Sequence, residues 1–362
     1  MNQSLKKRIF NVVLLIALTA FALWFALKDD YQDVLNNLKH LPLQWLFLIL
    51  ALGILYYILQ GIALYLIGHT YKKDLHVIDG IDNAYIAAFF NGVTPLGGGQ
   101  VAQTYAFRKL HMKYTDIASI LWMDFFIFQS IVLLYAGFFI VFRFSYAMDH
   151  FPQFLPLIIL GYLVNSSVIV GLWTVIRFPV FYQKVSTLLL KLLHHIHIVK
   201  NAEKTAEKWN EQILYFQHEV KNLKQHKTLI LQCAGLYIIR QTLFYSLPFL
   251  VAHAIGLTVQ FSDLLNIMAI SAFIHMLNAL TPLPGDTGWT ETAFIILFSI
   301  LFGKTNAGSV MILWRMSTYH LNVIIGGCRF LKVKSRKYPE EKLAEPEKEE
   351  TSKQKIAEEL KE

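Results

Sequence analysis

Six apolar runs, at 9–27, 43–67, 117–142, 154–176, 228–251 and 307–330, each have roughly the 17 to 25 residues that a helix needs to cross a bilayer. The chain is 55% hydrophobic and 16% charged, with a mean hydropathy of +0.44, whereas soluble domains average about 25% charged residues. The fold class expected is an all-α integral membrane protein. Lys6, Lys7 and Arg8 precede the first run and no small-residue cleavage site follows it, the pattern of a signal anchor or first span. Cys233 and Cys328 lie inside apolar segments without a C-x-x-C pair, so both read as core-filling residues and no disulfide framework is implied. The net charge of +8 fits cytoplasmic loops facing anionic lipid, and nucleic acid is not an expected partner.

Between the second and third runs, and again between the fifth and sixth, the chain carries a helix breaker written twice. Asn91-Gly-Val-Thr94-Pro95-Leu96-Gly97-Gly98-Gly99 and Asn278-Ala-Leu-Thr281-Pro282-Leu283-Pro284-Gly285 both read N-[AG]-[LV]-T-P-L-x-G. Each breaker sits between apolar segments that look helical but are short for a crossing, at 81–107 and 261–302. Short half-helices interrupted at corresponding places of two halves point to a transporter-type binding site near the membrane midplane. Pro and Gly at that depth require protein or a polar cavity to satisfy the freed backbone groups.

If each broken pair enters and leaves on one side, six crossings place both termini on the same face. Basic residues choose the face. With the N-terminus inside, cytoplasmic segments hold Lys6, Lys7, Arg8, Lys72, Lys73, Arg108, Lys109, Lys113, the Lys/Arg residues from Arg177 to Lys227 and the tail. External segments hold Lys28, Lys39, Arg143 and Lys304. The first pair then dips from the cytoplasm and the second from outside. The expected architecture is therefore six transmembrane helices plus two re-entrant broken hairpins in an inverted repeat, with both termini cytoplasmic.

This membrane domain is expected to cover residues 1–331. Within it, residues 181–227 read as a cytoplasmic or interfacial helical hairpin, with Trp209, Ile213, Phe216, Val220 and Leu223 forming an amphipathic stripe. The His194-His195-x-His197 cluster lacks a nearby carboxylate or Cys partner and reads as an interfacial face, with no metal expected. Residues 332–362 alternate Lys and Glu with few apolar residues, so a disordered charged tail is expected.

No nucleophilic triad is present, so no catalytic residue is assigned. Gly97-Gly98-Gly99-Gln100-Val101-Ala102 fits G-x-G-x-x-A, but a Thr-Pro break precedes it where the dinucleotide motif needs a strand, and no cofactor is expected. Glycines opening a helix leave backbone N–H groups for an anion, here a lipid headgroup phosphate. The same holds for Gly285 to Gly288 ahead of Glu291, where Asp286 would repel an anion unless it serves as a cap. Arg240, Arg315, Asp124 and Glu291 are ionisable residues at membrane depth, each a functional candidate by default. Two readings stay open: arginine–carboxylate pairs holding the bundle, or guanidinium forks presented to a phosphate. His275, His320, Gln60, Gln100, Gln103 and Asn165 read as interhelical hydrogen-bond partners.

The stretch from Asn91 to Tyr105, together with Thr281-Pro282-Leu283-Pro284-Gly285-Asp286-Thr287-Gly288-Trp289-Thr290-Glu291, resembles the lysylphosphatidylglycerol synthase transmembrane (flippase-like) family. The resemblance covers roughly residues 6–331. Better-known members join this region to a soluble aminoacyl transferase domain that adds lysine from charged tRNA to phosphatidylglycerol. Their membrane region is thought to translocate the product lipid and confer resistance to cationic peptides. The chain departs from the full-length pattern in lacking the transferase part, and Leu-Pro-Gly-Asp stands where a more glycine-rich second break is expected.

The resemblance implies a flippase-like translocator of the bacterial cell membrane, moving an anionic or aminoacylated phospholipid or glycolipid between leaflets. Its substrate contacts are expected at Asn91, Thr94, Pro95, Gly97, Gly98, Gly99, Gln100, Arg240, Asn278, Thr281, Pro282, Gly285, Gly288, Glu291 and Arg315. The alternatives are the membrane component of a phosphatidylglycerol lysyltransferase, working with a separately encoded transferase, or a scaffold for a lipid-modifying enzyme.

Overall fold

The computed structural model describes residues 39, 41–94, 97–177, 227–281 and 283–336. The first expected span at 9–27, most of the hairpin at 181–227, and all but the first residues of the tail lie outside them, as do Pro95 and Pro282. Among the described residues all regular structure is helical: α1 (Leu43–Tyr71), α2 (Val77–Val93), α3 (Gly99–Lys109), α4 (Tyr114–Phe142), α5 (Phe144–His150), α6 (Leu155–Arg177), α7 (Lys227–Ala254), α8 (Leu264–Asn278), α9 (Trp289–Phe302), α10 (Lys304–Arg315) and α11 (Leu321–Ser335). The chain divides into two compact units, Met1–Ser166 with Gln232–Arg336, and Ser167–Leu231 with Lys337–Glu362. The described part of the second unit is the end of α6 and the first turn of α7.

Among the described residues five helical stretches are long and apolar enough to cross a membrane: Leu43–Tyr71, Tyr114–Phe142, Pro152–Gly171, Lys227–Ala254 and Phe261–Asn278. Only 33% of the most apolar window of α4 is buried, and Leu134, Val141 and Phe142 stand outward on it. In water such a surface would aggregate; in lipid it is the solvated face.

Four of these stretches coincide with expected spans, and two expectations change. The sixth expected span, 307–330, is not one regular α-helix. α10 and α11 are joined by a π-helical turn, Met316–His320, rich in polar residues. Phe261–Asn278, expected as half of a re-entrant pair, has the length and hydropathy of a span by itself. Its polar residues are few, and ten of the 15 residues of α8 are buried among apolar neighbours. Of the other halves, α3 with 11 residues and α9 with 14 match the expected shortness, about 16 and 21 Å at 1.5 Å per residue against a hydrocarbon core of ~30 Å, whereas α2 with 17 reaches the lower bound of a crossing.

α2 lies between α1 and α11 and packs along both. Glycines permit this closeness, as small residues do where helices cross in a membrane. A Cβ on Gly80 would come 2.3 Å from the Gly61 carbonyl oxygen, and one on Gly326 would come 2.1 Å from that of Tyr85. Further along α1, a Cβ on Gly53 would come 2.0 Å from the Ser317 carbonyl in the π turn. α2 and α11 are also tied at one end by Arg329 to Asp82 (3.1 Å) and Arg336 to Asp79 (3.3 Å). A second cluster packs α8 and α9 with α10 and α7, built on Phe273, Phe294, Phe298 and Trp314. In the turn between α1 and α2, a hydrogen bond from Lys72 holds Asp74 below the usual carboxylate range.

Gly80→Ala forces α1 and α2 apart and is expected to cost on the order of 1–3 kcal/mol as an overpacked contact. Gly235→Ala adds a methyl where nothing lies within 4 Å, and is expected to leave stability unchanged or raise it. Thermal unfolding of both variants in detergent micelles checks the contrast.

Candidate functional site

Each breaker ends a helix and is then stitched by side chains from its own motif. At the first, α2 stops at Val93, and Thr94 donates its hydroxyl to the Phe90 carbonyl at 2.5 Å. The Gly98 N–H donates to Thr94 Oγ1 and the Gly99 N–H to Asn91 Oδ1, each at 2.8 Å. Gly97 takes φ 72°, a conformation a side chain would strain. The expectation that these glycines leave their N–H groups uncovered is therefore not met at Gly98 and Gly99. Orphan donors at a helix start bind the nearest acceptor, and the motif's own Asn and Thr are nearest. Gln100 is exposed at the start of α3.

The second breaker is closed from further away. Thr290 donates to Asn278 Oδ1 at 3.1 Å, and the Trp289 indole donates to the Leu277 carbonyl at 3.2 Å, both across the break. Thr281 bonds back to the Asn278 carbonyl. Glu291, 1% exposed, accepts the Gly288 N–H on Oε2 at 2.6 Å. Its other oxygen accepts from Arg315 Nε at 2.7 Å, while Arg315 Nη2 donates to the Gly285 carbonyl at 3.1 Å. One guanidinium thus holds both the turn Pro284–Asp286 and the start of α9.

The two breakers meet. The turn Pro284–Asp286 touches α2, and Tyr319, on the π turn, lies between them. Its hydroxyl donates to the Gly92 carbonyl at 3.1 Å and its ring lies 4.5 Å beneath the Arg315 guanidinium. A Cβ on Gly285 would strike this ring at 2.5 Å. Sequence reasoning missed Tyr319; its place one helical turn after Arg315 was the available signal.

Arg240 is held differently. Nε donates to the Tyr56 carbonyl at 3.2 Å and Nη2 to Gln60 Oε1 at 3.0 Å. Its guanidinium carbon lies 3.8 Å from the Tyr56 ring centroid, 4.8 Å from Phe128 and 5.6 Å from Tyr237. No carboxylate makes an ion pair with it among the described residues. Asp124, one of the two carboxylates at membrane depth, accepts the Tyr237 hydroxyl. The paired-charge reading therefore fits Arg315 and not Arg240. This cage borders the breakers through aromatic rings: Arg240 is 6.0 Å from Tyr57, which stacks on Tyr85 of α2 at 5.5 Å, and Tyr56 packs on Phe244, which meets Trp314 beside Arg315.

The polar residues expected as hydrogen-bond partners act so in two further places. Gln129 donates to Asn165 at 2.8 Å, and Tyr245 and His275 share a bond at 3.0 Å. At a third, Asn83 donates to the main-chain carbonyl of Gln103, while the buried Gln103 Nε2 has no hydrogen-bond partner among the described residues.

The family model described as the lysylphosphatidylglycerol synthase TM region matches residues 12–326. No curated protein matches the chain.

Removing one partner of a buried ion pair leaves the other charge stranded, at a cost of about 3–5 kcal/mol. Glu291→Gln and Arg315→Met are each expected to lower the unfolding midpoint in detergent sharply, and the double variant Glu291→Gln/Arg315→Met less than the sum of the two. Tyr319→Phe, which loses neutral hydrogen bonds to the Gly92 carbonyl and from Thr287, is expected to cost about 1–2 kcal/mol. Additive losses in the double variant would show that the two side chains do not act as a pair.

Proposed function

Because the chain belongs to the family of the lysylphosphatidylglycerol synthase transmembrane region, a membrane domain linked to lysylphosphatidylglycerol metabolism, we propose that it moves an anionic or aminoacylated lipid between leaflets. The lipid is a phospholipid or glycolipid, and the compartment is the bacterial cell membrane with both termini cytoplasmic. The observation that carries this reading is Arg240, a buried guanidinium at bilayer depth without a carboxylate partner among the described residues. A charge so placed is costly, and a headgroup phosphate that binds there offsets the cost with a charge-assisted hydrogen bond.

In this reading the residues divide their work. Arg240 meets the phosphate, with Gln60 and the Tyr56 ring fixing its orientation. Arg315 and Glu291 position the second breaker, and Asn91, Thr94, Asn278 and Thr281 keep both breakers shaped. The exposed Asn91 and Gln100 face the headgroup. Acyl chains stay in lipid while the two breakers shift against each other about Tyr319.

The family description itself favours a second reading, the membrane component of phosphatidylglycerol lysyl transfer, working with a transferase on another polypeptide. Lysine incorporation from charged tRNA into phosphatidylglycerol by the purified chain would replace the translocator with an enzyme.

Liposomes with headgroup-labelled lipid in one leaflet test the proposal. The wild type is expected to equalise the leaflets. Arg240→Gln, which keeps hydrogen bonding but removes the charge, is expected to slow crossing at least tenfold, about 1.4 kcal/mol or more. Equal rates for the two proteins would remove Arg240 from the substrate path.

A further inference from the structure

A second charged group at bilayer depth is left over once the breakers and Arg240 are accounted for. Asp124 lies about 15 Å along α4 from its start at 1.5 Å per residue, near the middle of that 29-residue helix, and is buried. It makes no ion pair among the described residues. Its one polar contact there is the Tyr237 hydroxyl, which donates to Oδ1.

Tyr237 touches both charged groups, its hydroxyl on Asp124 and its ring 5.6 Å from the Arg240 guanidinium. The other titratable groups facing this pair are few. Cys233 comes from α7 and lies against the Ala63 carbonyl, and Tyr56 and Tyr57 come from α1. His275, from α8, is turned to Tyr245. Arg108, from α3, is engaged with the Met112 carbonyl and the Tyr114 ring.

Asp124 and a phosphate on Arg240 would both be anions drawing on one cation. In a medium of low dielectric these cannot all be charged together without cost. With Arg240 empty, an ionised Asp124 balances it through the cage. With a phosphate on Arg240, the balance is already made, and the carboxylate is relieved by taking a proton from water. Binding of the anion and binding of the proton therefore favour each other, and by linkage each does so to the same extent.

We propose that Asp124 is an intramembrane proton-binding site, with Tyr237 as the positioning residue, and that an anionic headgroup at Arg240 is taken up together with a proton. The proposal rests on the headgroup reading of Arg240 for its coupling, but not for the existence of the proton site. The step is an acid–base exchange: a proton passes from water to the Asp124 carboxylate as the phosphate docks, and returns to water when the phosphate leaves. Tyr237 keeps its own proton, donating to the ionised carboxylate and accepting from the protonated one.

The test uses the full chain in nanodiscs of phosphatidylcholine, with short-chain phosphatidylglycerol as the probe. A pH indicator in weakly buffered solution is expected to report proton uptake on lipid binding, saturating with it. Asp124→Asn is expected to bind the lipid with no uptake, and Tyr237→Phe to alter the pH dependence of uptake while leaving lipid binding intact. Infrared difference spectra between acid and alkaline pH, recorded without lipid, are expected to show a carboxylic C=O band that Asp124→Asn removes. Should that variant not fold, Asp124→Glu is expected to shift the band.

Lipid binding without proton uptake would overturn the coupling and leave the translocator standing. A pH-dependent band that belongs to Asp124, with no lipid bound at all, would overturn the headgroup reading and leave the proton site. A spectrum with no carboxyl titration at Asp124 would overturn the proton site itself.

Discussion

Inside a bilayer, a backbone N–H or carbonyl that leaves a helix has no water to bond, and each such group left bare costs several kcal/mol. Two breaks between apolar helices of a membrane domain therefore impose a demand that the rest of the fold must answer. At the first, Asn91 and Thr94 answer it within nine residues, by accepting the N–H groups of Gly99 and Gly98. At the second, the turn around Gly285 is tighter and the answer comes from elsewhere: Glu291 takes the Gly288 N–H, and Arg315 takes the Gly285 carbonyl. The Arg315–Glu291 pair is thus a hydrogen-bonding device first and an ion pair second. Its desolvation is tolerable because both charges are matched and both also bind backbone.

The two arginines at membrane depth show how one residue type serves opposite ends. Arg315 is paired with a carboxylate and with a backbone carbonyl, and both oxygens of that carboxylate are hydrogen-bonded, so each holds the other in place. Arg240 has hydrogen bonds and ring faces but no carboxylate in ion-pair contact among the described residues. Aromatic faces stabilise a desolvated cation by about 2 kcal/mol, enough to hold it in place yet well short of a countercharge. That difference separates an arginine that ties a turn to a helix start from one with no carboxylate in ion-pair contact among the described residues.

Closeness of the helices carries this asymmetry across the molecule. Gly61, Gly80, Gly326 and Gly53 let α1, α2, α11 and the π turn approach to backbone contact, which seats Tyr319 between the two breakers. A π turn is a local register fault of a helix, and such faults recur at functional sites. Here the fault sets a side chain that touches both the first breaker, at Gly92, and the second, at Gly285 and Thr287.

The helical class, the membrane setting, four of the spans and the position of both interruptions were all legible in the chain itself, because hydropathy over a bilayer's width and the stereochemistry of Pro and Gly are local properties. So was the short list of charged residues at depth, and the family likeness carried by the breaker motifs. Which charge meets which partner was not. Arg315 finds Glu291 across 24 positions, Arg240 finds Gln60 across 180, and Tyr319 finds Gly92 across 227. Those pairings follow from where helices cross, and crossings are chosen by the glycines that allow contact and the cores that surround them. A pattern of types along the chain cannot express that, so only the tertiary structure could tell the arginine paired with a carboxylate from the one held by Gln60 and aromatic rings.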